Sequence, residues 1–440
     1  MTVKESIGGF QGFIDSVSRF NTLSDWLAWQ ETLHPVAIDL GLERVAAVAR
    51  KLDCLQPAPV VITVAGTNGK GSTLAILEAI LRRAGYRTGC YTSPHLFHYN
   101  ERLRIDGEVI ADADWCDAFA RIDALRGETS LTYFEFGTLA ALDIMQRDTL
   151  DVALLEVGLG GRLDAVNIID ADAAIVTSIG LDHTDWLGDT REAIGREKAG
   201  IFRAGRPALC GDAFPPDSLR QSAADVGADL QVIGRDFHLR HSGKRWHWQG
   251  RDSHYQDLPW PALPGAHQLA NAATALAVLE ALHDRLPVTE SAVAGGLKWV
   301  TLPGRIQVLP GKVEQVLDVA HNAQAALALV DALRHRPLSG STHAVIGMMR
   351  DKDIAAFVEA LRSQVDHWVP VGLDVDRALP PQQLAEYLQQ ARVEEPVTLS
   401  PSVAGALETL AGRLQRGDRV LVCGSFYTVA EWSALDINFD

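Results

Sequence analysis

The stretch Val64-Ala65-Gly66-Thr67-Asn68-Gly69-Lys70-Gly71-Ser72 carries the clearest chemistry in the chain. Glycines let a backbone fold around phosphates with its N–H groups turned inward. A helix beginning there adds positive potential. Lys70 can reach β- and γ-phosphates, and Ser72 can hold Mg²⁺ or a phosphate oxygen. The stretch departs from the usual phosphate loop, because Gly71 separates the lysine from the hydroxyl and Val64 stands where the first glycine is expected. An ordinary tight turn is the alternative. The co-occurrence of β-branched run, glycines, lysine, hydroxyl and helix formers favours nucleotide.

Other groups gain meaning beside this loop. Glu156 ends the run Asp151-Val152-Ala153-Leu154-Leu155. In a parallel sheet ligands gather at carboxyl ends of strands, so Glu156 is a candidate Mg²⁺ ligand. His183, in Asp182-His183-Thr184-Asp185-Trp186, suits a metal site or a helix-capping cluster equally well. Ser93, in Ser93-Pro94-His95, is a Mg²⁺ candidate or part of a simple turn. Lys198 at a helix end is ordinarily placed there by the helix dipole alone. Asp318 and His321 follow another apolar run, and Arg305 is a candidate phosphate clamp. Gln268 and Asn271, three apart, share a helix face.

The elements that must position these groups follow from periodicity. Residues 59–65 read as a buried parallel strand, 72–84 as a helix and 87–91 as the next strand, which is a βαβ unit. Further strands are expected at 152–157 and 174–178. Helices are expected around 26–33 and at 42–52, 136–146, 190–198 and 269–282. Residues 1–17 read as a loose lead-in. Short alternating pieces at 230–233, 237–239 and 246–248, with a turn at 242–244, predict a small antiparallel excursion. After Leu302-Pro303-Gly304, a plausible linker, a second series has strands at 315–319, 343–347, 367–371 and 419–423. Its helices are expected at 323–333, 354–364, 381–390 and 403–414. The expected fold class is α/β with two domains: residues 1–299, a P-loop ATPase-like parallel sheet with the excursion, and residues 300–440, a Rossmann-like α/β unit.

Composition narrows the function. The formal net charge of −16 disfavours nucleic acid, whose binding depends on neutralising phosphates. No apolar run reaches membrane-spanning length. Five scattered cysteines with no C-x-x-C spacing argue against a disulfide framework or a zinc ribbon and favour the cytoplasm. A monomer is the default expectation.

From Trp26 to Glu431 the chain resembles the folate-conjugating branch of the Mur ligase superfamily. The resemblance rests on the ordered motifs at 38–44, 66–72, 92–96, 131–136, 156–165, 182–184, 196–201, 302–305, 318–322 and Gly424-Ser425. It accounts for the altered phosphate loop, since these ligases use the G-T-N-G-K-G-[ST] form. It implies an ATP- and Mg²⁺-dependent ligase that adds L-glutamate to 7,8-dihydropteroate, and to the γ-carboxylate of reduced folates, through an acyl phosphate. The chain would then be both a dihydrofolate synthase and a folylpolyglutamate synthase; polyglutamylation alone is the alternative.

The implied roles are specific. Thr67, Asn68, Gly69, Lys70, Gly71 and Ser72 would bind ATP phosphates, with Asn271, Arg305 and Asp318 also on the nucleotide and His321 close by. Ser93 and Glu156 would hold one Mg²⁺ and His183 would help hold a second. Lys198 would be carbamylated to become a carboxylate-like ligand. Lys70, Lys198, His183 and His321 make up the implied catalytic set. The pterin would meet Ile38, Asp39, Leu40, Thr132, Tyr133, Phe134, Glu135, Leu163, Asp164 and Ala165. One departure is Ala323 after His321-Asn322, where relatives often carry Pro. Rival readings fare worse: the sequence has no UDP-sugar domain before Gly66 and no guanine-reading N-K-x-D element.

Overall fold

A computed structural model describes residues 18–435, 437 and 439, and the expected lead-in lies outside them. An eight-stranded sheet runs in the order Glu108–Val109, Leu103–Ile105, Thr88–Tyr91, Val152–Glu156, Val60–Ala65, Ala173–Val176, Pro207–Cys210, Asp229–Val232. From Thr88–Tyr91 onward its neighbours are parallel, and the first two strands form an antiparallel margin. The central strands are buried at every residue, as their unbroken apolar runs require.

Helices cover both faces. On one side Leu23–Leu33, Glu43–Leu52, Asp112–Arg126 and Tyr133–Arg147 pack around Trp26, Trp115, Phe119 and Phe136. On the other lie Lys70–Arg83, His267–Ala281 and Glu290–Trp299, around Ile76, Ile80, Leu276 and Val293. Helix Tyr133–Arg147 starts where it does because Thr132 and Glu135 cap each other's backbone N–H groups.

The excursion is a three-stranded antiparallel sheet of His238–Ser242, Arg245–Gln249 and His254–Pro259. The piece at 230–233 is not part of it. Asp229–Val232 instead pairs in parallel with Pro207–Cys210 and closes the main sheet, a choice made by register with a distant strand. Alternation in Arg245–Gln249 puts Trp246 and Trp248 inward and His247 outward. Trp248 Nε1 donates to Ala273 O at 3.0 Å, so this small sheet braces helix His267–Ala281.

The second sheet runs Gln307–Leu309, Glu314–Leu317, Arg419–Cys423, Thr342–Ile346, His367–Pro370, parallel after its first strand. Helix Ala323–Arg334 needs no proline at its start, because Asn322 Oδ1 accepts the Ala325 N–H at 3.0 Å. Among the described residues no helix is long and apolar enough to cross a membrane.

Candidate active site

Two cavities meet at the carboxyl ends of the large sheet. One, of about 370 Å³, is walled by the 66–72 loop, Glu156, Lys198 and residues 318–321. The other, of about 770 Å³, lies between the 36–41 segment, the start of helix Tyr133–Arg147 and the turn 158–165. Ser93, Pro94, Gly158, Leu159 and His183 line both, so the cavities share one wall.

The loop is held by its own glycines and by the strand beside it. A Cβ at Gly66 would stand 1.8 Å from Thr177 Oγ1, so a larger residue would push the loop off Thr177. Gly69 has φ +87°, which starts the helix at Lys70, two residues earlier than the apolar pattern predicts. Thr177 Oγ1 donates to Asn68 O at 2.6 Å, and Thr67 Oγ1 exchanges hydrogen bonds with the Gly180 backbone. These contacts fix the loop's N–H groups before any ligand arrives. Lys70 Nζ donates to Gly66 O at 3.1 Å, which leaves two of its N–H groups for an anion.

Charges converge on the loop. A methyl at Gly71 would lie 3.8 Å from Glu156 Oε2 and 4.0 Å from an Arg305 nitrogen. Burial pushes the Glu156 carboxyl up, against Lys70, the Ser93 N–H and Arg305, which pull it down. Arg305 is stacked over Phe426 with its guanidinium 5.2 Å from the ring centre; burial lowers its affinity for a proton, and Asp318 and Glu156 restore part of it. Asp318 is itself pushed up by burial while accepting the Ile306 and Ala320 N–H groups at 2.8 Å. Gln268 reaches Ser72 Oγ at 3.4 Å and orients Asn271 by a 2.9 Å bond, which realises the shared helix face.

The C-terminal region contributes through long-range contacts that no local pattern announced. Asn68 Nδ2 donates to Asn322 Oδ1 and Gln324 Oε1. Lys352 Nζ pairs with Asp182 at 2.6 Å, both side chains 7% exposed. His321 Nε2 lies 3.4 Å from Asp182, and its Nδ1 is 2.9 Å from Val319 O. Burial opposes ionisation of Asp182, but His321, Lys352 and His183 together hold its carboxyl well below the usual range. His183 is pulled down to about 4, first by burial, so its imidazole is neutral.

Lys198 is buried, and its pKa falls to about 7 through burial and then repulsion from Lys70. Among the described residues no carboxylate stands within ion-pair range of it. A half-neutral buried amine is a nucleophile towards CO₂ in a way that an exposed lysine is not. Among the described residues no three His, Cys, Asp or Glu side chains cluster to cage a metal. Mg²⁺ is seldom caged by protein alone and takes one or two carboxylates plus phosphates. Ser93, Glu156, His183 and a carbamate on Lys198 fit such a shared site.

The larger cavity gathers Ile38, Asp39, Leu40, Thr132, Phe134, Glu135, Leu163, Asp164 and Ala165. Tyr133 stands aside: its ring packs edge-on to Tyr99 and under the Arg102 guanidinium. Several of the others work through the backbone. Arg44 bridges Asp39 to Glu135, its Nε donating to Glu135 at 2.9 Å. Asp164 accepts the Leu159 and Val166 N–H groups at 2.8 and 3.0 Å and shapes the 158–165 turn; burial lifts its carboxyl to about 6. Trp186, Arg102, Arg350 and Arg377 also line this cavity and were not singled out from sequence. Trp186 closes the run Asp182-His183-Thr184-Asp185, and its ring beside acids was the available signal.

Comparison with known proteins matches the same regions. Residues 64–210 match the Mur ligase middle domain and 304–426 the Mur ligase glutamate ligase domain. The chain is 47% identical to a dihydrofolate synthase/folylpolyglutamate synthase of Escherichia coli over 93% of this chain and 94% of that protein. It superposes on Escherichia coli FolC solved with DHPP and ADP at a TM-score of 0.88, with 46% identity over 93% of this chain and 96% of that one. A bifunctional folylpolyglutamate synthase/dihydrofolate synthase solved with Mn, AMPPNP and L-glutamate superposes at 0.87, with 48% identity over 94% and 98%. Both α/β units and nearly the whole chain are thus matched, and the chain belongs to the dihydrofolate synthase/folylpolyglutamate synthase family of Mur ligases.

Proposed function

We propose that the nucleotide cavity takes ATP, that the larger cavity takes 7,8-dihydropteroate or a reduced folate, and that the carboxylate to be activated crosses the shared wall at Ser93 and His183. The chain is an ATP-dependent ligase that joins glutamate to folates. The observation that carries the finer reading is the shared wall: one carboxylate can lie in the acceptor cavity and still face the loop's phosphates.

A carboxylate is a poor electrophile because oxide would have to leave. Its oxygen attacks the γ-phosphorus, ADP departs, and the resulting acyl phosphate has a good leaving group. The amine of L-glutamate then attacks the carbonyl carbon, inorganic phosphate leaves, and the amine's proton passes to solvent or to a nearby base. Lys70 and the loop N–H groups stabilise charge on the transferring phosphoryl group. Arg305 and Asp318 hold the nucleotide from the second unit, with Asn271 beside the loop. Two Mg²⁺, held by Ser93 and Glu156 and by His183 with carbamylated Lys198, would supply charge neutralisation on the phosphates. The chain divides near residue 300, Leu302-Pro303-Gly304 acts as the hinge, and the Lys352–Asp182 pair favours closure, which excludes water from the acyl phosphate. Its setting is the cytoplasm, in keeping with five free cysteines, and it acts as a monomer.

The test is phosphate release from ATP with Mg²⁺, L-glutamate and either 7,8-dihydropteroate or tetrahydrofolate, with mass analysis of the product. Release with both, each with a gain of one glutamyl residue, is expected. Release with tetrahydrofolate alone would reduce the chain to a polyglutamate synthase.

A further inference from the structure

Arg102 is a buried cation that lacks a counterion. It is 8% exposed, yet among the described residues no Asp or Glu lies within ion-pair range of it. Its neighbour Glu101 is committed elsewhere, accepting the Leu96, Phe97 and His98 N–H groups at 2.7–2.9 Å. The guanidinium lies over Tyr99 and Tyr133 at 5.1 and 5.5 Å. Its Nε donates to His95 Nδ1 at 2.9 Å, so that ring nitrogen serves it as an acceptor. The imidazole and the rings of Tyr99, Tyr133 and Tyr91 hold the fork in place and help keep it charged against burial, but none of them supplies a carboxylate. An orphan guanidinium in a cavity wall is a ready site for a carboxylate.

Its position distinguishes between the acceptor's own carboxylates. Arg102 lines the acceptor cavity but not the nucleotide cavity. Through His95 it is tied to the Ser93-Pro94 segment, which lines both. The reacting carboxylate must reach that shared segment, and a guanidinium paired with it would draw off the charge it needs to attack phosphorus. Dihydropteroate has a single carboxylate. A reduced folate ending in glutamate has a second, the α-carboxylate, a few bonds from the reacting γ-carboxylate and absent from the nucleotide side.

We propose that Arg102 binds the α-carboxylate of the terminal glutamyl residue of a reduced folate, and so serves polyglutamylation more than the dihydropteroate reaction. This rests on the acceptor-site reading given above.

The experiment is steady-state kinetics of the full chain and of Arg102→Gln and Arg102→Lys at saturating ATP and L-glutamate. For Arg102→Gln, kcat/KM with tetrahydrofolate should fall about 10- to 100-fold, carried mainly by KM. With dihydropteroate, which shares the cavity but offers no second carboxylate, the fall should be clearly smaller than with tetrahydrofolate, and an unchanged unfolding midpoint shows that the variant is folded. Arg102→Lys should recover part of the loss. A tetrahydropteroyl analogue bearing 4-aminobutyrate, which lacks the α-carboxylate, should be used equally by wild type and Arg102→Gln. Equal loss with both acceptors, no loss with tetrahydrofolate, or a full loss on the analogue would each overturn the assignment. A wild-type chain inactive with both acceptors would instead overturn the acceptor-site reading beneath it.

Discussion

The nucleotide cavity and the acceptor cavity share a wall and are built by opposite means. The first is a convergence of charge: Lys70, Arg305 and Lys198 face Glu156, Asp318 and Asp182 across a loop fixed by its own backbone hydrogen bonds. The second is larger and more apolar, and its two buried acids look away from it, Asp164 to two backbone N–H groups and Glu135 to Thr132 and Arg44. Preorganised charge suits a step whose barrier lies in moving phosphoryl charge. An apolar slot suits a flat pterin, whose binding draws on buried area. Variants in the two cavities should therefore differ in kind as well as in size.

The largest effect is expected from Lys70→Ala, which removes the cation from the moving phosphoryl group but leaves the acceptor slot intact. We expect kcat to fall by about a thousandfold or more with both acceptors, while binding of dihydropteroate, followed by its fluorescence or by calorimetry, stays near wild type. Near-normal turnover would refute the loop assignment. Loss of acceptor binding would dissolve the distinction between the cavities.

Trp186→Ala is the reciprocal probe. The Trp186 ring lines the acceptor slot and is 47% exposed, so no core depends on it. Removing an aromatic face worth about 1–2 kcal/mol should raise KM for either acceptor by about tenfold. The KM for ATP should not move. A change in the ATP term would mean that the 182–187 turn couples the two cavities through His183.

How far these features were legible in sequence follows the same contrast. The phosphate loop, Glu156, Asp318 and Arg305 sit in short contiguous motifs, and local patterning singled them out as candidates. The Lys352–Asp182 pair spans 170 residues, and Lys352 sits in the run Arg350-Asp351-Lys352-Asp353, which reads as a solvated face. Arg102 follows Glu101, which disguises it as half of a surface pair. The helices at 112–126, 217–226 and 290–299 were passed over because each lies beside stronger signals. Residues 230–233 were misassigned because four alternating residues fit either an edge strand or a hairpin, and only pairing with Pro207–Cys210 decides. The burial of Lys198 was likewise invisible to local pattern, since a lysine at a helix end is ordinary until its surroundings are known.

The smallest effect should come from farthest away. Trp248 belongs to the antiparallel excursion, which no motif explained, and its indole N–H holds the Ala273 carbonyl of the helix that carries Gln268 and Asn271. Trp248→Phe loses that hydrogen bond and part of a ring that is 1% exposed. The Ala273 carbonyl keeps its place in the helix ladder, so no acceptor is stranded, and the cost is about 2–3 kcal/mol from the lost bond and the smaller ring. The unfolding midpoint should drop by several degrees. If the excursion acts as a brace for the nucleotide cavity alone, KM for ATP should rise by about two- to threefold as Asn271 loosens against Gly69, while both acceptor constants hold. A drop in midpoint with no change in the ATP term would make the excursion a stabilising cover and no more, and a shift in the acceptor terms would show that the two cavities rest on a common support.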